Sequence, residues 1–259
     1  MEERLILGDC MKALKDLPDK SVDLVLTDPP YLIKGMSCNS GMFKWKNRNF
    51  VAKKNIYREI RDNGIGDGID SENFLKEILR VMKHVNVYLW CNKEQVKGYL
   101  DFFLGDGVSR ERERVGKINW ELIVWGKLNP PPFVGSHYLK DKEWCLYFWE
   151  SGWGPRNVTY ERGRTVYLTN TNVRDAKRYG HPTPKREDII SNLILNSSNE
   201  GDTVLDPFMG SGTVPAMAKR LGRGYVGIEL NEGYFRTASK RVGDTTMGDK
   251  LVGEQMKLF

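Results

Sequence analysis

Two short stretches of this sequence hold residue types that could do chemistry together. The first, Asp28-Pro29-Pro30-Tyr31, closes the run Val22-Asp23-Leu24-Val25-Leu26-Thr27. That run is β-branched and leucine-rich, and short enough for a buried strand. The two prolines fix φ, remove two backbone donors and leave their carbonyls as acceptors. Asp28 adds a carboxylate and Tyr31 a flat aromatic face. A planar group carrying an amino donor suits this cluster, with its N–H bonds on Asp28 and the Pro29 carbonyl and its ring on Tyr31. The bland alternative is a stiff turn with no ligand.

The second stretch, Asp206-Pro207-Phe208-Met209-Gly210-Ser211-Gly212-Thr213, follows the strand-like Thr203-Val204-Leu205 and precedes a helical run. A further apolar run, Gly224-Tyr225-Val226-Gly227-Ile228, ends at Glu229. Strand, glycine turn, helix, strand and acid is a nucleotide-binding layout: glycines admit close backbone approach and the acid takes ribose hydroxyls. The GxGxxG fingerprint is incomplete, because Thr213, Val214 and Pro215 follow Gly212. An adenosine-type ligand with no required pyrophosphate fits better than a dinucleotide.

The elements that must position these residues follow from periodicity. Leu5-Ile6-Leu7-Gly8 reads as a strand with Asp9-Cys10 at its carboxyl end, and Met11, Leu14 and Leu17 have helical spacing. With the run before Asp28 this makes a βαβ unit, so Asp9 and Asp28 share one sheet edge. Asp9 also suits a helix N-cap. Helices are expected over 74–82, 95–104 and 185–195, and strands over 85–91, 119–126 and 143–149. The last two strands are joined through Leu128-Asn129-Pro130-Pro131-Pro132-Phe133, which excludes regular structure and argues an antiparallel pair at one sheet edge.

Composition bounds the rest. The chain has 259 residues, 40% hydrophobic and 29% charged, with a net charge of +6. This is a soluble, globular composition leaning towards a polyanionic partner. No membrane span and no signal-peptide pattern are evident. Cys10, Cys38, Cys91 and Cys145 form no CxxC, so reduced thiols and a cytoplasmic setting are expected. The histidines form no ligand pair, and no metal is expected. Residues 32–68 form a long basic loop in which Lys44, Lys46, Lys53 and Lys54 alternate with Phe43, Trp45, Phe50 and Tyr57. Such a loop suits phosphates and unstacked bases, or is a solvated flap. Residues 151–180 carry Arg156, Arg162, Arg164, Arg174 and Arg178 among Asn157, Asn170 and Asn172. Arg and Asn read guanine and adenine edges, but an exposed polar excursion has the same composition.

Together, Asp28-Pro29-Pro30-Tyr31 and the later glycine motif resemble the S-adenosylmethionine-dependent DNA amino-methyltransferases. The order of the two motifs resembles the beta class. The resemblance implies a Rossmann-like α/β fold: a seven-stranded, mostly parallel sheet with helices on both faces, circularly permuted so that the cofactor half comes last. It divides the chain into a catalytic half (1–150), a target-recognition insertion (151–180), a cofactor half (181–242) and a tail (243–259). It assigns S-adenosylmethionine to Phe208, Gly210 and Gly212, with Asp206 near the methionine amine and Glu229 on the ribose. Asp9 and the backbone at Cys10 would hold the adenine. His181-Pro182-Thr183-Pro184-Lys185 resembles the segment that reaches the methionine part through Thr183 and Lys185, although Arg186 stands where relatives often have proline.

The implied activity is methylation of the N6 amino group of an adenine flipped from duplex DNA onto Tyr31. Cytosine-N4 relatives more often carry Ser at the first motif position, so cytosine-N4 methylation is the alternative. A catalytically silent DNA-binding module is a second alternative. A nicotinamide oxidoreductase is disfavoured by the incomplete fingerprint. The implied setting is a bacterial or bacteriophage restriction-modification system. A homodimer is a further expected partnership. The terminal Gln255-Met256-Lys257-Leu258-Phe259 resembles the pentapeptide by which bacterial proteins bind the sliding clamp, with Leu258 and Phe259 as apolar anchors; a frayed terminus is the alternative.

Overall fold

The computed structural model describes residues 2–30, 71–113, 115–130, 138–181 and 183–248. Tyr31, the loop lysines Lys44, Lys46, Lys53 and Lys54, and tail residues 255–259 lie outside them. In chain order, β1 (Glu3–Leu7), α1 (Cys10–Lys15) and β2 (Leu24–Thr27) come first. Next come α2 (Ser71–Val81), β3 (Asn86–Cys91), α3 (Lys93–Leu104) and α4 (Gly107–Glu111). The strands β4 (Ile118–Lys127), β5 (Lys142–Glu150) and β6 (Val166–Thr169) lead to α5 (Val173–Tyr179). The chain closes with α6 (Glu187–Ser197), β7 (Thr203–Asp206), α7 (Thr213–Arg220), β8 (Gly224–Glu229) and α8 (Glu232–Gly243).

The described strands form one eight-stranded sheet in the order β1-β8-β7-β2-β3-β5-β4-β6. β1, β8, β7, β2 and β3 are mutually parallel, which places their carboxyl ends on one edge. The last two strands in sequence lie between the first two, so the later glycine motif is brought beside the earlier proline motif. This is the permuted layout expected. β5 runs antiparallel to both β3 and β4, as the proline-rich connection required. The expected count of seven strands becomes eight, because Val166–Thr169 adds a parallel strand beyond β4.

Alternation along the central strands divides two cores. Leu24 and Leu26 face one side with Tyr88, Trp90, Val204 and helices α6 and α7. Val25 faces the other with Val87, Leu89, Leu205 and helices α1, α2 and α3. Both faces of these strands are buried, which is why their sequences read as continuous apolar runs. β3 begins at buried Asn86, a polar residue with its bonds filled. Its amide donates to the Asp23 and Ser197 carbonyls at 2.9 Å each, and its oxygen accepts from Tyr147 Oη at 3.0 Å. Asn86→Ala would remove all three of these bonds from the interior. Chemical denaturation is expected to show a loss of about 3 kcal/mol, with an unchanged denaturant slope.

Candidate active site

The parallel strands deliver their acids to one edge. β7 ends at Asp206, which is 4% exposed. Its Oδ1 accepts from Thr27 Oγ1 at 2.7 Å and from the Phe208 amide at 3.1 Å. Burial dominates nonetheless and raises its carboxyl to about 7, helped by the negative charges of Asp28 and Glu229. Phe208 packs its ring against Phe74 of α2 at 5.3 Å. Gly210 (φ 51°) and Gly212 (φ 77°) turn the chain into α7 through left-handed conformations. A Cβ on Gly212 would stand 2.8 Å from Ala238 Cβ, and one on Gly210 would stand 2.8 Å from His181 Nε2. Glycine is therefore needed at both positions, because neighbouring elements pack directly against the backbone there.

Glu229 ends β8 beside that turn. Its carboxylate accepts from the Gly210 amide at 3.0 Å and the Asn231 amide at 2.7 Å. Burial raises its pKa, against the lowering effect of these bonds. β1 pairs with β8 so that Leu7 lies opposite Glu229, which brings Asp9 and Cys10 to the same corner. Asp9 caps α1 by accepting from the Lys12 amide at 3.0 Å, as expected. Burial, then the Asp9 charge, pushes the Cys10 thiol up to about 12, so it is an inert thiol.

One strand over, β2 delivers Asp28, Pro29 and Pro30. The Pro30 carbonyl accepts from Gln95 Nε2 at 3.2 Å, and Gln95 belongs to a capping box with Asn92 at the start of α3. Asp28 Oδ2 accepts from Lys185 Nζ at 2.5 Å. Lys185 was expected at the cofactor's methionine part; the structure brings it to the carboxylate of the proline motif. It also lies 3.0 Å from Glu143 Oε2, and Glu143 Oε1 accepts from Lys127 Nζ at 2.5 Å. Burial opposes the Lys185 charge, but Asp28 and then Glu143 hold its ammonium well above the usual lysine range. Thr183 is exposed, and its amide donates to His181 Nδ1 at 3.3 Å. Burial, then Lys185 and Arg241, lowers His181 to about 4, so the ring is neutral and its proton sits on Nε2, towards Gly210.

Gln95, Glu143, Lys127 and Thr27 were not singled out from the sequence. Gln95 left a signal in the Asn92-x-x-Gln95 capping spacing. Glu143 left a weaker one, a lone acid at the head of an apolar strand. Arg241, also missed, reaches under the glycine turn and donates to Thr213 Oγ1 at 2.8 Å. The arginines of 151–180 are divided. Asn172 donates to the Pro184 and Lys185 carbonyls at 3.2 and 3.3 Å, which puts α5, with exposed Arg174 and Arg178, beside the site. Arg156 instead bonds its amide to the Asn196 carbonyl near the far end of α6 and stacks on Trp153, at the edge where β3 begins. Arg162 donates to its own loop at the Asn157 carbonyl, 2.6 Å, and Arg164 lies over Tyr160 at 4.9 Å. The arginines of this segment are therefore divided in space: α5 flanks the site, and Arg156 is at the opposite edge. The two groups sit at opposite ends of α6, a separation that composition could not express. Among the described residues no cluster of histidine, cysteine and acidic side chains could hold a metal ion.

The pattern of the DNA methylase family, N6 and N4 amino type, matches residues 22–240. The chain belongs to this family. As a DNA methylase, it is 30% identical over 277 residues to the type II methyltransferase M.HpaI of Haemophilus parainfluenzae, covering 99% of this chain and 79% of that protein. It is 28% identical over 263 residues to M.HinfI of Haemophilus influenzae, covering 92% and 67%. The fold is similar to a solved complex of M1.HpyAVI with S-adenosylmethionine, at TM-score 0.62 and 22% identity over 93% of this chain and all (100%) of that one. The cytosine-N4-specific PvuII DNA methyltransferase has the same fold at TM-score 0.62 and 15% identity, over 93% and 86%. No helix among the described residues is long and apolar enough to cross a membrane.

The glycine turn makes a direct prediction for this methylase. Gly212→Ala forces a side chain into a left-handed turn against Ala238. It is expected to cost about 1–3 kcal/mol in thermal or chemical unfolding, whereas Gly243→Ala, with open space around its Cβ, is expected to cost far less.

Proposed function

We propose that this chain transfers a methyl group from S-adenosylmethionine to the N6 amino group of an adenine flipped out of duplex DNA. Membership of the DNA methylase family makes S-adenosylmethionine the methyl donor. The residues fit that group: a turn with glycines at 210 and 212, an acid beside it whose carboxylate keeps acceptor sites for ribose hydroxyls, and a buried acid for an ammonium. The observation that carries the reading is the placement of Asp28 on the strand adjacent to Asp206, so that the acceptor for a base amino group lies next to the glycine turn.

The donor supplies an electrophilic methyl group. The protein supplies alignment and charge. Glu229 would orient the ribose, Asp206 the methionine ammonium, and Asp9 with the Cys10 backbone the adenine of the donor. Asp28 and the Pro29 carbonyl would accept the two N–H bonds of the target amino group. That draws the nitrogen towards a pyramidal geometry and exposes a lone pair otherwise delocalised into the ring. It also stabilises the positive charge that develops on nitrogen. Gln95 holds the Pro30 carbonyl and so fixes the end of the proline pair. Arg174 and Arg178 stand where a duplex entering the site would meet them, and Lys44, Lys46, Lys53 and Lys54 would supply sequence-independent phosphate contacts.

Asp28→Ala is expected to abolish methyl transfer while leaving donor affinity within about threefold, since Asp28 serves the target base. Glu229→Ala should do the reverse and weaken donor binding first. Near wild-type methylation by Asp28→Ala would end this reading. Modification-sensitive sequencing of DNA from expressing cells then reports N6-methyladenine, with N4-methylcytosine as the contrary outcome.

Donor binding should also move a proton. Asp206 titrates at about 7 in this fold, against 3.8 in an unfolded chain. The fold therefore loses stability as pH rises from 3.8 to about 7, because only the unfolded state ionises in that window. A bound ammonium pulls the folded value back down. Donor affinity should rise with pH up to about 7 and level off above it. Calorimetry at pH 6.5 in two buffers of different ionisation heat should detect the released proton; equal heats would remove Asp206 from this role.

A further inference from the structure

A row of alternating charges leads away from Asp28. Lys185 Nζ is 2.5 Å from Asp28 Oδ2 and 3.0 Å from Glu143 Oε2, and Glu143 Oε1 is 2.5 Å from Lys127 Nζ. The register fixes this row. Trp125 lies opposite Glu143 across β4 and β5, and Lys127 projects to the same face two residues on. The two ammonium groups rest on rings that touch each other: Lys185 lies 5.0 Å from the Trp90 centroid and Lys127 5.1 Å from that of Trp125. Those rings meet edge to face at 6.5 Å. The row is sheltered, with side-chain exposures of 10% for Lys185 and 18% for both Glu143 and Lys127. Its charges therefore act on one another with little screening.

We propose that Glu143 and Lys127 set the charge that the Asp28 carboxylate presents to the target amino group, which makes Glu143 a positioning residue for methyl transfer. This rests on the reading of Asp28 as the acceptor of that amino group. Lys185 alone would neutralise Asp28 where a negative charge is needed. Glu143 shares the ammonium and draws part of its field away. Lys127 in turn keeps Glu143 from overcompensating, so that the four formal charges cancel while the end facing the base stays negative. Burial would raise the Glu143 carboxyl, but Lys185 and Lys127 together hold it below its ordinary range, so it is charged throughout the neutral pH region. Removing the Glu143 charge leaves the row net positive beside a nitrogen that must itself become positive. The loss falls on the transition state and not on binding of donor or duplex.

The test uses the full chain, S-adenosylmethionine and a duplex it methylates, with single-turnover methyl transfer as the readout. Glu143→Gln is expected to slow that step by about ten- to a hundredfold, with donor affinity and duplex affinity within about threefold. Glu143→Asp, which keeps the charge, should fall between the two. Adding Lys127→Met to Glu143→Gln cancels the excess positive charge and should recover about tenfold of the loss. A merely structural role makes the double variant slower than either single one, and that result would overturn the proposal. So would a wild-type rate for Glu143→Gln. If Glu143→Gln does not fold, Lys127→Met carries the sign alone: it should speed the step, and a slower rate overturns the proposal. Asp28→Ala run beside these separates the two readings. An active Asp28→Ala ends the proposed function, whereas an inactive one with a fully active Glu143→Gln ends only the role of Glu143.

Discussion

Thr27 and Asp206 are 179 positions apart in the chain, and a single 2.7 Å hydrogen bond joins their side chains in the interior. Thr27 is the last residue of β2 and Asp206 the last of β7, and the two strands pair in parallel. The proline motif begins one residue after the first, and the glycine turn one residue after the second. Register here sets the separation between Asp28 and the glycine turn. A buried acid without that donor would carry an unmet lone pair in a low-dielectric setting, so the pairing is favoured at both ends. The corner formed by Asp9 and Glu229 is set in the same way by the pairing of β1 with β8.

Buried charge at the site is handled in groups. On one side Lys185 is shared between two carboxylates. On the other, Arg241 spans Glu187, Thr213 and the Ser211 backbone beneath the turn, while its guanidinium lies 3.9 Å from the Tyr179 ring. Both cations tie a helix or its lead-in to a loop that must not move. The glycine turn is thus held from below by an arginine and from the side by the Glu229 carboxylate, which accepts the Gly210 amide. A turn with glycine at two of its positions takes its rigidity from neighbours.

Much of this was legible in the residues. The doubly buried strands announce themselves as apolar runs, and the two motifs fall where such runs end. β4 and β5 were readable as antiparallel because prolines exclude a crossover helix between them. Other features left little trace. β6 is four residues long in a segment rich in Arg and Asn, and only Tyr167 of it is buried. α8 buries only Tyr234, Ala238, Arg241 and Val242, too sparse a stripe to stand out, and one of the four is a cation whose partners lie on other elements. The destination of Lys185 was hidden for the same reason. A lysine's neighbours are set by tertiary contacts with Asp28 and Glu143, which are 157 and 42 positions distant in sequence. Arg156 and Arg174 look alike as sequence, yet they lie towards opposite ends of a helix that follows both.

Asn172 gives the outer part of the molecule an unexpected boundary. Its amide reaches the carbonyls of Pro184 and Lys185, so the segment beside the site is fastened to the residue that holds the Asp28 carboxylate. In evolutionary terms, β6 and α5 are a tolerant place to vary, since they hang at the sheet edge and carry little of the core. Their inner end is not. Exchange of this segment for another would be constrained at Asn172, whose two bonds a replacement would have to reproduce.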